Sequence, residues 1–185
     1  MGAAGSAISC VRCRLQTCVC PLIPRIETRT QFVIVRHRAE RSRRSNTAHF
    51  AALALPRCSI VEYGVPDAPL DETQLPRDQG TFVLFPDEHA PPPQTIPARL
   101  IVLDGSWSQA RHMRQRLTAL RGLPLYPLPA PLTQRPRLRR PTHESGMSTL
   151  EAIARALAEL EGPSLAAPLD RLHDAIVRAC VPSPR

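Results

Sequence analysis

An α/β fold with a mainly parallel sheet is what this sequence of 185 residues predicts, on three observations. Short, continuous apolar runs at residues 31–36 (QFVIVR), 58–62 (CSIVE), 81–85 (TFVLF) and 100–103 (LIVL) read as strands covered on both faces. Segments of helical period alternate with them, the pattern of parallel strands joined by crossover helices. Two of those helices open on capping boxes, Ser106 with Gln109 and Ser148 with Glu151, so the turns that precede them are specified by the sequence itself.

The chain begins with a cysteine-rich stretch, Cys10-x2-Cys13-x4-Cys18-x-Cys20. Four cysteines within eleven residues suit thiolate ligands of a tetrahedral zinc better than disulfides if the protein works in a reducing compartment. Reduced, unliganded thiols are the other reading. Residues 1–24 are thus expected to form a small zinc-knuckle-like segment, and residues 25–185 an α/β catalytic domain. Cys58 and Cys180 lie in apolar surroundings and read as core.

After the strand at 31–36 come Arg36, Arg38, Arg41, Arg43 and Arg44, then Ser45-Asn46-Thr47, which can cap a helix through Phe50, Leu53 and Leu55. Residues 64–80, with three prolines and several acids, form a loop long enough to act as a lid. Pro86 ends the strand at 81–85, and a Pro/Gln linker at 90–97 leads to the central strand. A helix from Ser106 to about Leu120 turns Ala110, Met113, Leu117 and Leu120 inward, with Arg111, Arg114 and Arg116 on its other face. Residues 122–136 are too rich in proline for a helix. Arg135, Arg137, Arg139 and Arg140 follow, then a helix from Ser148 with Leu150, Ile153, Leu157 and Leu160 inward, and a last packing helix over 170–180.

Charge is distributed in blocks. Residues 1–50 hold nine Arg against two acids, residues 64–90 one Arg against six acids, and residues 99–140 nine Arg against one acid. All 24 basic residues are arginine, a bias that reads as genomic, but the net charge of +8 stands. Two basic blocks about an acidic insert suggest a face for a polyanion, against the alternative of a merely solvated surface. No apolar run is long enough for a membrane helix and residues 1–9 do not read as a signal peptide, so a cytoplasmic protein without membrane attachment is expected.

The stretch that organises the rest is 99–113, RLIVLDGSWSQARHM. It brings Asp104 to the carboxyl end of a buried strand, where open α/β sheets bind ligands, beside a helix N-terminus and the chain's single tryptophan, Trp107. Asp104 can be a desolvated base or an aspartate that orders the turn. Asn46 can be a plain cap, and Ser148 with Glu151 can be capping alone.

Asp104-Gly105-Ser106-Trp107 resembles the signature of the DTW-domain family, with Ser106 where the family name records a threonine. Cys10 to Cys20, Arg44-Ser45-Asn46-Thr47 and Ser148-Thr149-Leu150-Glu151-Ala152 resemble further family stretches in the same order. The resemblance implies a tRNA-uridine aminocarboxypropyltransferase, using S-adenosylmethionine and tRNA, on a SPOUT-like fold with a C-terminal knot. It implies catalytic roles for Asp104 and Trp107. Cofactor contacts are expected from Leu84, Phe85, Pro86, Leu103, Gly105, Ser106, Arg139, Ser148, Thr149 and Glu151. RNA contacts are expected from Arg36, Arg38, Arg43, Arg44, Asn46, Arg111, Arg114, Arg137 and Arg140, and zinc ligation from Cys10, Cys13, Cys18 and Cys20. The rival readings are a SPOUT-type RNA methyltransferase on the same cofactor and a non-catalytic zinc and RNA-binding module. Oligomeric state has no signature in the sequence.

Overall fold

A computed structural model describes residues 9–43, 46–87, 90–128, 138 and 146–180. Its centre is a five-stranded sheet in the order β2-β1-β4-β3-β5, made of β1 (Gln31–His37), β2 (Cys58–Tyr63), β3 (Thr81–Leu84), β4 (Arg99–Asp104) and β5 (Leu125–Tyr126). Every pairing is parallel, so the expected mainly parallel sheet is wholly so. β5 was hidden in a proline-rich stretch. It is two residues between Pro124 and Pro127 on the sheet's edge, a place where prolines cost no ladder bond.

Alternation along the strands divides the core. Phe32, Ile34, Leu100 and Val102 face α1 (Ala48–Ala54), α3 (Thr149–Glu161) and α4 (Pro163–Cys180). Val33, Val35 and Ile101 face α2 (Trp107–Arg116), where Ala110 and Met113 are buried. Cys13, Leu15 and Val19 of the cysteine-rich segment are buried in the first of these layers. Cys58 and Cys180 pack at its margin.

Several boundaries differ from the sequence expectation for local reasons. α2 stops at Arg116, because Leu117 turns extended and a 3₁₀ turn (Thr118–Leu120) follows, tied to Glu72 through the Thr118 hydroxyl. α4 begins seven residues earlier than expected. Pro168 reads as a breaker, yet it lies in the second turn of a helix that starts on Pro163, and burial of Ala166 and Leu169 offsets the lost bond. Both capping boxes form, each with its side chain and backbone bonds in place. The loop 64–80 holds a short 3₁₀ turn (Glu72–Gln74). The expected knot depends on the passage from β5 to α3, most of which lies outside the described residues.

Candidate active site

At the carboxyl end of the sheet three charged side chains stand abreast. β1 and β2 pair Arg36 with Glu62, and β1 and β4 pair Arg36 with Asp104. All three fall on the face that carries Ile34 and Val102, toward α1 and α3. Arg36 donates Nε and Nη2 to Glu62 Oε1, and its side chain is only 8% exposed. Arg36 therefore does not offer its charge to a surface polyanion, as the basic run around it suggested.

Asp104 is buried and held from both sides. Asn46 Nδ2 donates to Oδ2 at 2.6 Å and Thr149 Oγ1 donates to Oδ1 at 2.5 Å. Burial pushes the Asp104 carboxyl above the usual carboxylate range, while the bonds from Thr149 and Asn46 and the Arg36 charge pull against it. One segment earlier, Thr47 Oγ1 accepts from the backbone N–H of Leu150 at 3.1 Å. The loop before α1, the end of β4 and the start of α3 are thus stitched together at one point. Asn46 does not cap α1: Thr47 occupies that position without a side-chain cap bond, and the Asn46 amide is spent on Asp104.

Trp107 lies elsewhere. Its indole stacks on Phe85 with ring centroids 5.3 Å apart, and the Arg114 guanidinium sits 5.0 Å from the Phe85 ring centre on the α2 side of the sheet. The carboxylate and the indole therefore flank the end of β4 from opposite faces rather than side by side. Leu103 belongs to the Trp107 side, and Pro86 follows Phe85 there. A Cβ on Gly105 would stand 3.0 Å from Gln109 Cβ and 3.2 Å from Gln109 Oε1, so a larger residue there crowds the capping box. Ser106 and Ser148 spend their hydroxyls on the N–H groups of Gln109 and Glu151. Arg38, Arg43 and Arg111 are exposed and Arg114 is half-buried. Arg44, Arg137, Arg139 and Arg140 lie outside the described residues.

The four thiols of Cys10, Cys13, Cys18 and Cys20 gather with every sulfur within 4.8 Å of the others. Cys10 Sγ lies 3.6 Å from Cys20 Sγ and 3.6 Å from Cys18 Sγ, and Cys13 Sγ lies 4.0 Å from Cys18 Sγ. A tetrahedron of sulfurs about a zinc at its usual bond length has edges of about 3.8 Å, so the set fits such an ion. The knuckle that brings them together is closed by Arg14 donating to the Cys10 carbonyl, with Arg14 in the left-handed region at φ 63°. Backbone N–H groups of Cys13 and Arg12 hold the Cys10 thiol down to about 6. His49 on α1 bonds the Arg12 carbonyl at 2.7 Å, tying the knuckle to the helix that follows Asn46.

Sequence reasoning gave Thr47 a capping role only and missed Glu62 and His173. Glu62 becomes visible once strand register is known, and the role of Thr47 once the start of α3 is placed against the loop before α1. His173 is buried on α4 with Nε2 3.5 Å from Glu151 Oε2, and its place among the apolar residues of an amphipathic helix gave no signal beyond packing.

The fold and site together define an α/β protein with a polar cluster at the carboxyl end of a parallel sheet and a cluster of four thiols that could hold a metal ion. The DTW domain matches residues 7–181, and the chain belongs to that family. It is similar to tRNA-uridine aminocarboxypropyltransferase 2 of Mus musculus, 30% identical over 168 residues that cover 82% of this chain and 56% of that protein. The protein of the same name from Drosophila melanogaster is 29% identical over 166 residues, covering 82% of this chain and 66% of its own length. The chain therefore spans a little over half to about two thirds of these relatives. No solved structure matches it. Among the described residues no helix is long and apolar enough to cross a membrane.

Proposed function

We propose that this chain transfers the 3-amino-3-carboxypropyl group of S-adenosylmethionine to N3 of a uridine in tRNA, with release of methylthioadenosine. The observation that carries the reading is the junction at Asp104, where Asn46, Thr149 and the strand end meet. These residues come from three of the four stretches that carry the family resemblance, and the relatives' printed name supports the transferred group.

In this reading Asp104 is the base. A buried carboxylate is a stronger proton acceptor than an exposed one, and Asn46 and Thr149 each use one lone pair of a different oxygen, leaving others for substrate. The N3 proton passes to Asp104, the N3 pair forms a bond to the carbon beside sulfur, and the carbon–sulfur pair stays on sulfur, which loses its positive charge. Leu84, Phe85, Pro86, Leu103, Gly105, Ser106, Ser148, Thr149 and Glu151, with Arg139, form the cofactor wall. Trp107 supplies a flat ring for stacking, and its position against Phe85 assigns it no part in moving the proton.

Arg38, Arg43, Arg111 and Arg114, with Arg44, Arg137 and Arg140, hold RNA phosphates; Arg36 and Asn46 act inside the site instead. Cys10, Cys13, Cys18 and Cys20 hold a structural zinc, which staples segment 1–24 to the catalytic body 25–185. A SPOUT-like knot and a cytoplasmic setting complete the proposal. The test is incubation of tRNA with S-adenosylmethionine labelled separately in the methyl and the carboxypropyl carbons. Label must reach tRNA from the carboxypropyl carbons. Label from the methyl alone makes the protein a methyltransferase, and no label from either leaves a non-catalytic zinc and RNA-binding module.

A further inference from the structure

Two polar atoms beside Asp104, Arg36 Nη1 and Asn46 Oδ1, are buried with no hydrogen-bond partner among the described residues, and so is Oε2 of Glu62, the ion-pair partner of Arg36. Each belongs to a side chain whose other polar end is already engaged. Arg36 spends Nε and Nη2 on Glu62, and Asn46 spends Nδ2 on Asp104. Burying an unpaired guanidinium N–H and an unpaired amide oxygen is costly, and such atoms in a folded protein call for an explanation. Both residues adjoin the same carboxylate, Arg36 as the strand neighbour of Asp104 and Asn46 as its donor.

The unused hydrogen-bonding capacity is that of a complement to a zwitterion. It offers one charged donor on Arg36 and acceptor oxygens on Asn46 and Glu62, with the Asp104 carboxylate next to them. A phosphate fits poorly, because Arg36 is already neutralised by Glu62, and the Glu40 and Asp104 carboxylates stand near. A uracil edge needs its N3–H delivered to the base, not to an amide oxygen. An α-amino acid head group adds no net charge and presents an acceptor and a donor a few ångströms apart.

We propose that Arg36 Nη1 receives the carboxylate, and Asn46 Oδ1 the ammonium, of the amino acid head of the sulfonium donor. Arg36 is then a specificity-determining residue: by holding the head group it fixes which of the carbons beside sulfur faces the acceptor. The inference rests on the reading under Proposed function.

The experiment is calorimetric titration of the intact protein and of Arg36→Lys with S-adenosylmethionine, decarboxylated S-adenosylmethionine and methylthioadenosine. Arg36→Lys keeps a cation for Glu62 and removes the second guanidinium arm. The native protein binds S-adenosylmethionine roughly tenfold or more tighter than the decarboxylated analogue, since a charge-assisted hydrogen bond is lost. Arg36→Lys abolishes that preference while its affinity for methylthioadenosine is unchanged. Equal binding of the two sulfonium compounds by the native protein overturns the inference without any variant. Retention of the preference in a folded Arg36→Lys overturns it too, and points to the helix N-termini or another arginine. A raised KM for tRNA with unaltered cofactor binding assigns the pair to the nucleobase instead. Failure of the native protein to bind any of the three overturns the reading under Proposed function along with it.

Discussion

The hydroxyl of Thr149 donates to Asp104 Oδ1 at 2.5 Å and so joins the first turn of α3 to the end of β4. The bond does two things. It satisfies one oxygen of a carboxylate that water cannot reach freely, and it steadies the ionised form against the upward push of burial.

Thr149→Val keeps the shape and removes the donor. The variant loses about 1–3 kcal/mol of stability, because a buried acceptor is stripped of its partner. The acidic limb of its pH–rate profile moves upward, since the carboxyl has lost a bond that held its pKa down. Urea unfolding and a pH series of initial rates check both, and an unmoved limb would show that Thr149 does not tune Asp104.

Glu161 at the end of α3 accepts from the backbone N–H groups of Arg29 and Thr30, ahead of β1. Burial raises its pKa, but those bonds outweigh it and leave the carboxyl below its ordinary value. A depressed folded pKa gives stability that is full above the unfolded value and is lost as pH falls through the folded one. Glu161→Gln therefore costs about 1–3 kcal/mol near neutral pH. The gap to the native protein closes as pH falls below the ordinary carboxylate range. Chemical denaturation at several pH values measures this, and a pH-independent difference would mean that only packing was disturbed.

The thiol cluster makes a separate prediction. Cys13 is buried in the main core, so loss of a metal there is felt in the body of the protein. Cys13→Ser, or chelation, lowers the melting temperature by roughly 5–15 °C. Metal analysis finds about one zinc per native chain, following the usual four-sulfur stoichiometry, and less in the variant. A metal-free protein with native stability would leave the thiols as reduced cysteines.

The first four strands and both capping boxes were legible in the sequence because each is a local pattern: an apolar run, or a hydroxyl three residues before an amide or carboxylate acceptor. Asp104 at its strand end was legible for the same reason. The partition of the site was not. Which face a side chain takes depends on strand parity and on what packs above it, so the nearness of Asp104 and Trp107 in sequence suggested a proximity that the two faces of β4 deny. Arg36 shows the same limit. In a run of arginines it looked like one more surface charge, and only its register between Glu62 and Asp104 makes it an interior residue. The last helix was expected only over 170–180; its first turns, 163–169, hold Pro163 and Pro168 and form because Ala166 and Leu169 are buried against the core.

The most direct test of the proposed chemistry is single-turnover transfer to tRNA by native protein and Asp104→Asn, followed against pH beside S-adenosylmethionine binding. Native transfer should rise through a limb above the usual carboxylate range, in keeping with the raised pKa of Asp104. The variant should bind the cofactor with near-native affinity and transfer it roughly a hundredfold to ten-thousandfold more slowly, the usual contribution of a general base. Transfer by Asp104→Asn at the native rate, with the same pH limb, would contradict the account.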